Sequence, residues 1–231
     1  MRNITHVFFD LDHTLWDFKM NSRETLGELF HEMRLASHGV QDVEAFIESY
    51  ERVNDIKWAQ YRKGEIDKQT LRNTRFRDAL RHFEVDHPEL AHEMEIAYID
   101  RSPHKTNLFP GAIETLGYLQ EKYALHIITN GFSEVQDVKL NKSGLKPFFE
   151  TVITSEQVGV NKPDPKIFLH ALQSTGAKRN QSVMVGDNLE ADVRGARRVG
   201  MHAVFFNPES ASHNDKVSAE IFQLDQLKKL L

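Results

Sequence analysis

A doubly wound α/β fold, with a parallel sheet interrupted after its first strand by an all-helical insertion, is what this sequence predicts, and three observations predict it. Short apolar runs rich in β-branched and aromatic side chains recur at 4–9, 125–129, 151–154, 182–185 and 203–206. From Pro110-Gly111 onward each run is followed by a turn and one amphipathic segment, a spacing that calls for parallel strands joined by right-handed crossovers. Between about 20 and 101 no convincing strand occurs, and apolar residues recur at helical spacing instead.

Taken in order, the first run stops abruptly at Asp10, as a strand does when it delivers a polar side chain at its carboxyl end. The insertion follows as four helices. Leu26, Leu29, Phe30 and Met33 mark the first, and Phe46, Tyr50, Val53 and Ile56 the second. The third and fourth start near Asp67 and Pro88, an N-capping acid and a first-turn proline. Four more strands alternate with helices, which makes a five-stranded sheet, and 207–218, rich in Ser, Asn, Asp and Pro, reads as a loop. The expected division is a core of 1–17 and 103–231 and a helical domain of 18–102.

A chain of 231 residues can bury a real core, and 40% apolar with 27% charged residues is the balance of an ordinary globular protein. With 29 basic against 34 acidic residues the formal charge is −5 and no basic block exists. Non-specific attraction to nucleic acid or anionic lipid is therefore excluded as a starting point, and small molecules are the expected partners. Zero cysteines remove disulfides, thiolate zinc sites and thiol nucleophiles together. The N-terminus lacks a signal-peptide pattern, and no apolar run approaches the roughly 20 residues of a membrane span, so the expected location is the cytoplasm. The 12 histidines include no H-E-x-x-H and no three on one helix face, and are expected mostly at the surface.

In an open parallel sheet, ligands bind beyond the carboxyl ends of the strands. There the sequence places Asp10-Leu11-Asp12-His13-Thr14, Thr129-Asn130-Gly131, Asn161-Lys162-Pro163-Asp164, and Gly186-Asp187 with Asp192 five residues on. Carboxylates crowded together repel, and a hard divalent cation with oxygen ligands relieves them, Mg²⁺ being the natural choice. A lysine and a hydroxyl suit a phosphoryl group, one as a point charge and one as a donor. An aspartate can itself attack phosphorus, and a second two residues on can protonate the leaving oxygen and later activate water.

These four segments, DLDHT, ITNG, the lysine of VNKPDPKIF and GDNLEAD, resemble in order the motifs of the haloacid dehalogenase-like (HAD) hydrolase superfamily. The resemblance implies a Rossmann-like core, Asp10 as nucleophile, Asp12 as general acid/base, and Thr129 and Lys162 as phosphate ligands; Asn130, in a turn with Gly131, is expected to join the phosphate site through backbone N–H groups. It implies Mg²⁺ held by Asp10, Asp187 and the backbone carbonyl of Asp12, with Asp192 close by and supporting the metal shell. The helical insertion resembles a class I cap, which closes over the site and carries substrate selectivity. Through Val53-Asn54, Trp58, Tyr61, Gly64 and Ile66, and through ITNGF followed by Gln136 and Leu140, the chain is most similar to the YjjG-type pyrimidine nucleoside 5′-monophosphatases.

The expected activity is thus Mg²⁺-dependent hydrolysis of a small phosphomonoester, a nucleotide first and a sugar phosphate or phosphoglycolate next. A β-phosphoglucomutase shares the chain plan but releases no phosphate. Haloacid dehalogenases typically lack a second aspartate such as Asp12. Receiver modules are about half this length and have no cap, and a silent phosphate-binding protein ranks last because every matched position is intact. His13 stands where it could touch substrate or simply fill its loop; Trp58 and Tyr61 could stack a base or pack a helix.

Overall fold

The computed structural model describes residues 3–231; Met1 and Arg2, the first residues of the expected core segment, lie outside them. In chain order the elements are β1 (His6–Phe9), α1 (Phe18–Glu32), α2 (Val43–Arg62), α3 (Lys68–Arg81), α4 (Pro88–Arg101), α5 (Ala112–Gln120) and β2 (Ala124–Thr129). There follow α6 (Ser133–Lys142), β3 (Thr151–Thr154), α7 (Ser155–Val158), α8 (Pro165–Thr175) and β4 (Ser182–Gly186). A π-helical turn at Leu189–Arg194 then runs into α9 (Gly195–Arg198), and β5 (His202–Phe206), β6 (Ala219–Ile221) and α10 (Leu227–Leu230) complete the chain.

The six strands are all parallel, in the order β3-β2-β1-β4-β5-β6. The first strand is therefore central, and the order reverses beside it, which opens a crevice at the carboxyl ends. Strand alternation sends Val7, Phe9, Leu125, Ile127, Val183 and Val185 to one face, where they pack with Leu116, Leu119 and Leu227 of α5 and α10. Phe8, Ile128 and Met184 go to the other, against Ile167, Phe168 and Ala171 of α8 and Ala196 of α9. Both faces are covered, as a parallel sheet requires.

The sheet has one strand more than the expected five. The additional strand, β6, has three residues, pairs with β5 from Val204↔Ala219 to Phe206↔Ile221, and buries only Ile221. So short a run expresses neither alternation nor a continuous apolar stretch. The 207–218 segment before it is irregular, as expected.

Contacts divide the chain into two compact units, Met1–Phe18 with Thr106–Leu231, and Lys19–Lys105. The second contains α2, α3 and α4 and all of α1 beyond Phe18, with no strand among its residues. Asp42 and Asp67 cap α2 and α3 by accepting backbone N–H bonds, and Pro88 opens α4 behind His87, whose Nδ1 accepts from Leu90 N. The core of this unit is built from Leu26, Phe46, Tyr50, Phe76, Met94 and Tyr98 among others. Ile56 does not join it and is 53% exposed. The buried positions of α2 are Phe46, Ile47, Ser49, Tyr50, Val53 and Asn54, and at 100° per residue position 56 falls about 20° beyond Ser49, just past the edge of that face. Inside the core, Arg75 donates from Nε and Nη2 to the two carboxylate oxygens of Glu95, each at 2.7 Å, and lies over the Tyr98 ring. No helix among the described residues is long and apolar enough to cross a membrane.

One histidine departs from the expected surface placement. His126, in the middle of β2, is 1% exposed, and its Nε2 lies 3.0 Å from Nδ1 of His6 on β1. The rings stack at 5.3 Å, and Phe8 covers His126 at 4.8 Å. Burial, with His6 adding to it, pushes the His126 imidazole from 6.5 down to about 4. Between those values the unfolded chain binds a proton that the fold excludes, so folding stability should drain away as pH falls from 6.5 towards 4, by on the order of 1–3 kcal/mol, and level off below. Buried carboxyls raised in the same range act in the opposite sense in both proteins, so the loss is read as a difference: between pH 7 and pH 4 the urea-unfolding stability of the wild type should fall relative to that of His126→Leu, and parallel curves would remove the histidine from the account.

Candidate active site

The carboxyl ends of β1, β2 and β4 carry the site. Asp10 follows β1 directly and is fixed by its own N–H, which donates to Val185 O across to β4 at 2.9 Å. Beyond it the chain turns around Leu11 O, which accepts from the N–H groups of Thr14, Leu15 and Trp16. Leu11, Leu15 and Trp16 are fully buried and anchor this turn. His13 takes a left-handed conformation (φ 61°), is exposed, and stacks on Phe18 at 4.8 Å.

Lys162 is 1% exposed, and its ammonium donates to Ile128 O at 2.8 Å, to Asp192 Oδ1 at 2.7 Å and to Asp10 Oδ1 at 2.9 Å. Its loop is pinned to β2 by Asn130, whose amide accepts from Lys162 N at 2.7 Å and donates to Lys162 O at 3.1 Å. The Asn130 side chain is thereby committed to the loop. Asp192 reaches Lys162 through the π-helical turn, which Asn188 caps, and its Oδ2 accepts from Asn188 N at 3.1 Å. A π-turn after a strand is a common way to re-aim a side chain at a working site. Gly186 leaves room for it, since a Cβ there would sit 2.3 Å from Asp192 Oδ2.

Asp187 accepts from Thr14 Oγ1 at 3.1 Å. One carboxylate oxygen from each of Asp10, Asp187 and Asp192 lies within 4.8 Å of the others. Burial, reinforced by neighbouring carboxylates, pushes both Asp10 and Asp187 up to about 6, against the opposing pull of Lys162. Asp192 is raised for the same reason. Burial alone would lower Lys162, but Asp10 and Asp192 outweigh it and hold the ammonium above the ordinary lysine range.

Asp12 is two residues from Asp10 but has different company. Its Oδ1 accepts from Lys139 Nζ at 2.5 Å and its Oδ2 from Gln136 Nε2 at 2.8 Å. Burial raises its carboxyl, yet Lys139 and Gln136, with His13, bring it below the usual value. Gln136 Nε2 also donates to Thr129 Oγ1 at 2.8 Å, which accepts from Gly131 N at 3.0 Å as well. With both acceptor positions filled, the Thr129 hydroxyl has only its proton left to offer, which makes it a donor.

The structure thus gathers Asp10, Lys162, Asp187 and Asp192 into one cluster and joins Asp12 and Thr129 through Gln136. Lys139 had no expected role, and Gln136 entered only through the resemblance. The signal was present in α6, whose buried positions Gln136, Lys139 and Leu140 follow the i, i+3, i+4 rule with two polar residues where a core helix puts apolar ones. Trp58 and Tyr61 belong to the helical unit, on α2, half-buried and edge-to-face at 5.5 Å.

The sequence model of the haloacid dehalogenase-like hydrolases matches residues 4–200. Over 97% of this chain and 96% of the relative, it is 30% identical to the pyrimidine 5′-nucleotidase YjjG of Escherichia coli (strain K12). It is 34% identical to the pyrimidine 5′-nucleotidase PynA of Streptococcus pneumoniae, over 87% of this chain and 83% of that one. A crystal structure of the HAD-hydrolase YfnB from Bacillus subtilis, bound to magnesium, superposes with a TM-score of 0.90 over 99% of both chains at 25% identity.

Gly186→Ala should force the Asp192 carboxylate off Lys162. A cost of roughly 1–3 kcal/mol is expected from the overpacking, measurable by thermal or urea unfolding; unchanged stability would mean that Asp192 has room to move.

Proposed function

The chain belongs to the haloacid dehalogenase-like hydrolase family, and on that premise we propose that it is a phosphoric monoester hydrolase acting on pyrimidine nucleoside 5′-monophosphates. The observation that carries the reading is the contact of the buried Lys162 ammonium with Asp10, 2.9 Å apart, which sets a cation beside a potential nucleophile at a strand end. The nucleotide preference rests on the likeness to the two pyrimidine 5′-nucleotidases over most of their length.

In this reading a carboxylate oxygen of Asp10 attacks phosphorus. The bond from phosphorus to the nucleoside O5′ breaks as Asp12 gives that oxygen a proton. Lys162 and the Thr129 hydroxyl hold the phosphoryl oxygens. Water then adds to the phosphorus of the aspartyl-phosphate, gives its proton to Asp12, and the Asp10–phosphorus bond breaks to release phosphate. Asp12 enters as a carboxylate held at both oxygens, so it takes up a proton from solvent or from the monoanionic phosphate of the substrate before it gives one to O5′.

Asp10, Asp187 and the backbone carbonyl of Asp12 would hold a divalent cation, Mg²⁺ in our reading, with Asp192 supporting the cluster. The donor set fits, because Asp10, Asp187 and Asp192 around the single Lys162 leave two negative charges in excess, all on oxygen. Such an ion supplies charge neutralisation for the incoming phosphate. Substrate selectivity is assigned to the helical unit, with Trp58 and Tyr61 the residues to examine.

Phosphate release should be observed with Mg²⁺ from UMP, dUMP or dTMP in preference to sugar phosphates or phosphoglycolate. Asp10→Asn should lose at least about 10³-fold in kcat while keeping its fold, and a chelator should silence the wild type. Turnover confined to sugar phosphates would overturn the nucleotide assignment, substantial activity in a pure Asp10→Asn preparation the nucleophile, and indifference to chelation the cation.

A further inference from the structure

Two polar side chains on α6 lie deeper than stability alone explains. Lys139 is 4% exposed and Gln136 fully buried. The Lys139 ammonium sits 4.2 Å from the centre of the Trp16 ring and 5.6 Å from that of Phe18, with Asp12 Oδ1 at 2.5 Å. A well-packed apolar residue usually serves a buried position at least as well as one half of an ion pair. Gln136 is odder still. Both amide protons are spent, one on Asp12 Oδ2 and one on Thr129 Oγ1, while its Oε1 is buried without a partner. An orphaned buried acceptor is costly to keep. The backbone also yields to it, because a Cβ at Gly131 would meet Gln136 Nε2 at 2.2 Å.

From this geometry we infer that Gln136 and Lys139 are positioning residues that hold the Asp12 carboxylate and the Thr129 hydroxyl in one fixed relation. The inference rests on the proposed role of Asp12 as the acid that protonates the leaving oxygen. Three residues apart on one helix, the two side chains project from the same face. Lys139 pulls on one oxygen of Asp12 and Gln136 on the other, so the plane of the carboxylate is set by two bonds rather than one. The same Gln136 nitrogen fills the last acceptor position of Thr129 and turns its hydroxyl proton outward. The acid for the leaving oxygen and a donor for the phosphoryl group are thus aligned from one rigid element. A misalignment of even 1 Å in such groups is expensive in rate.

Leaving-group dependence reads this role directly. A nucleoside 5′-alkoxide must be protonated as it departs, whereas p-nitrophenolate departs without help. In Lys139→Met, kcat/KM for UMP should fall at least tenfold further than kcat/KM for p-nitrophenyl phosphate, and Asp12→Asn should show the same skew more strongly. Damage that is merely structural lowers both esters alike. If Asp12→Asn is skewed and a folded Lys139→Met is not, the positioning role is overturned and the proposed chemistry stands. If Asp12→Asn loses both esters equally, or the wild type cleaves neither, the acid role falls and this inference falls with it. Circular dichroism shows whether Lys139→Met is folded; should it not be, Gln136→Met carries the same comparison, with the skew expected in the same direction.

Discussion

A lysine ammonium buried at the carboxyl end of a parallel sheet is the constraint on which the rest of the core depends. Taking such a charge out of water costs several kcal/mol unless every proton finds an acceptor, and Lys162 finds three: the Ile128 carbonyl, Asp192 and Asp10. Each acceptor commits a different part of the fold. Ile128 is the penultimate residue of β2 and Asp10 follows β1, so those strands must run side by side. Asp192 must come in through the π-helical turn, which requires Gly186 without a side chain and Asn188 as the cap. Asn130 then bonds both the N–H and the C=O of Lys162. The lysine is thus held by strands and loops far apart in sequence.

The full occupancy of that ammonium has a consequence for binding. In the proposed reaction a phosphoryl oxygen would approach Lys162 only by sharing or replacing one of its present acceptors, and charge within the cluster would be redistributed as substrate arrives. Asp10 and Asp187 are pushed up by burial and by their neighbours, while Asp12, two residues from Asp10, is brought down by Lys139 and Gln136. Two carboxylates on one short turn are driven apart in affinity for a proton by the helices and strands behind them.

Much of this was legible in the sequence because its causes are local. Asp10, Thr129 and Asp187 each end or follow a short apolar run, and strand ends in a parallel sheet face one edge. Asp67 and Pro88 mark helix starts through bonds made within one turn. What was not legible depends on partners distant in the chain. Nothing near Lys139 shows that it will meet Asp12, 127 positions away, and nothing near His126 shows that His6 and Phe8 will cover it. β6 escaped because three residues cannot express a period, and Ile56 misled because a spacing of three fits a helix without fixing which side is buried. Asn130 was read correctly as a loop residue, but its tie to Lys162 is visible only in the fold.

The division into two units bears on where discrimination between substrates must reside. In the proposed reaction Asp10, Asp12, Thr129 and Lys162 deal only with phosphorus, its oxygens and the bridging oxygen, groups common to every phosphomonoester. Identical chemistry at these positions therefore cannot separate a nucleotide from a sugar phosphate. In the proposed reading selectivity is placed in side chains outside these positions, and the helical unit, which has its own core, is where we place them. Its buried Arg75–Glu95 pair, held by two bonds and covered by Tyr98, ties α3 to α4 by direction as well as by burial. A charge pair of this kind favours one packing over its neighbours more than it adds to stability.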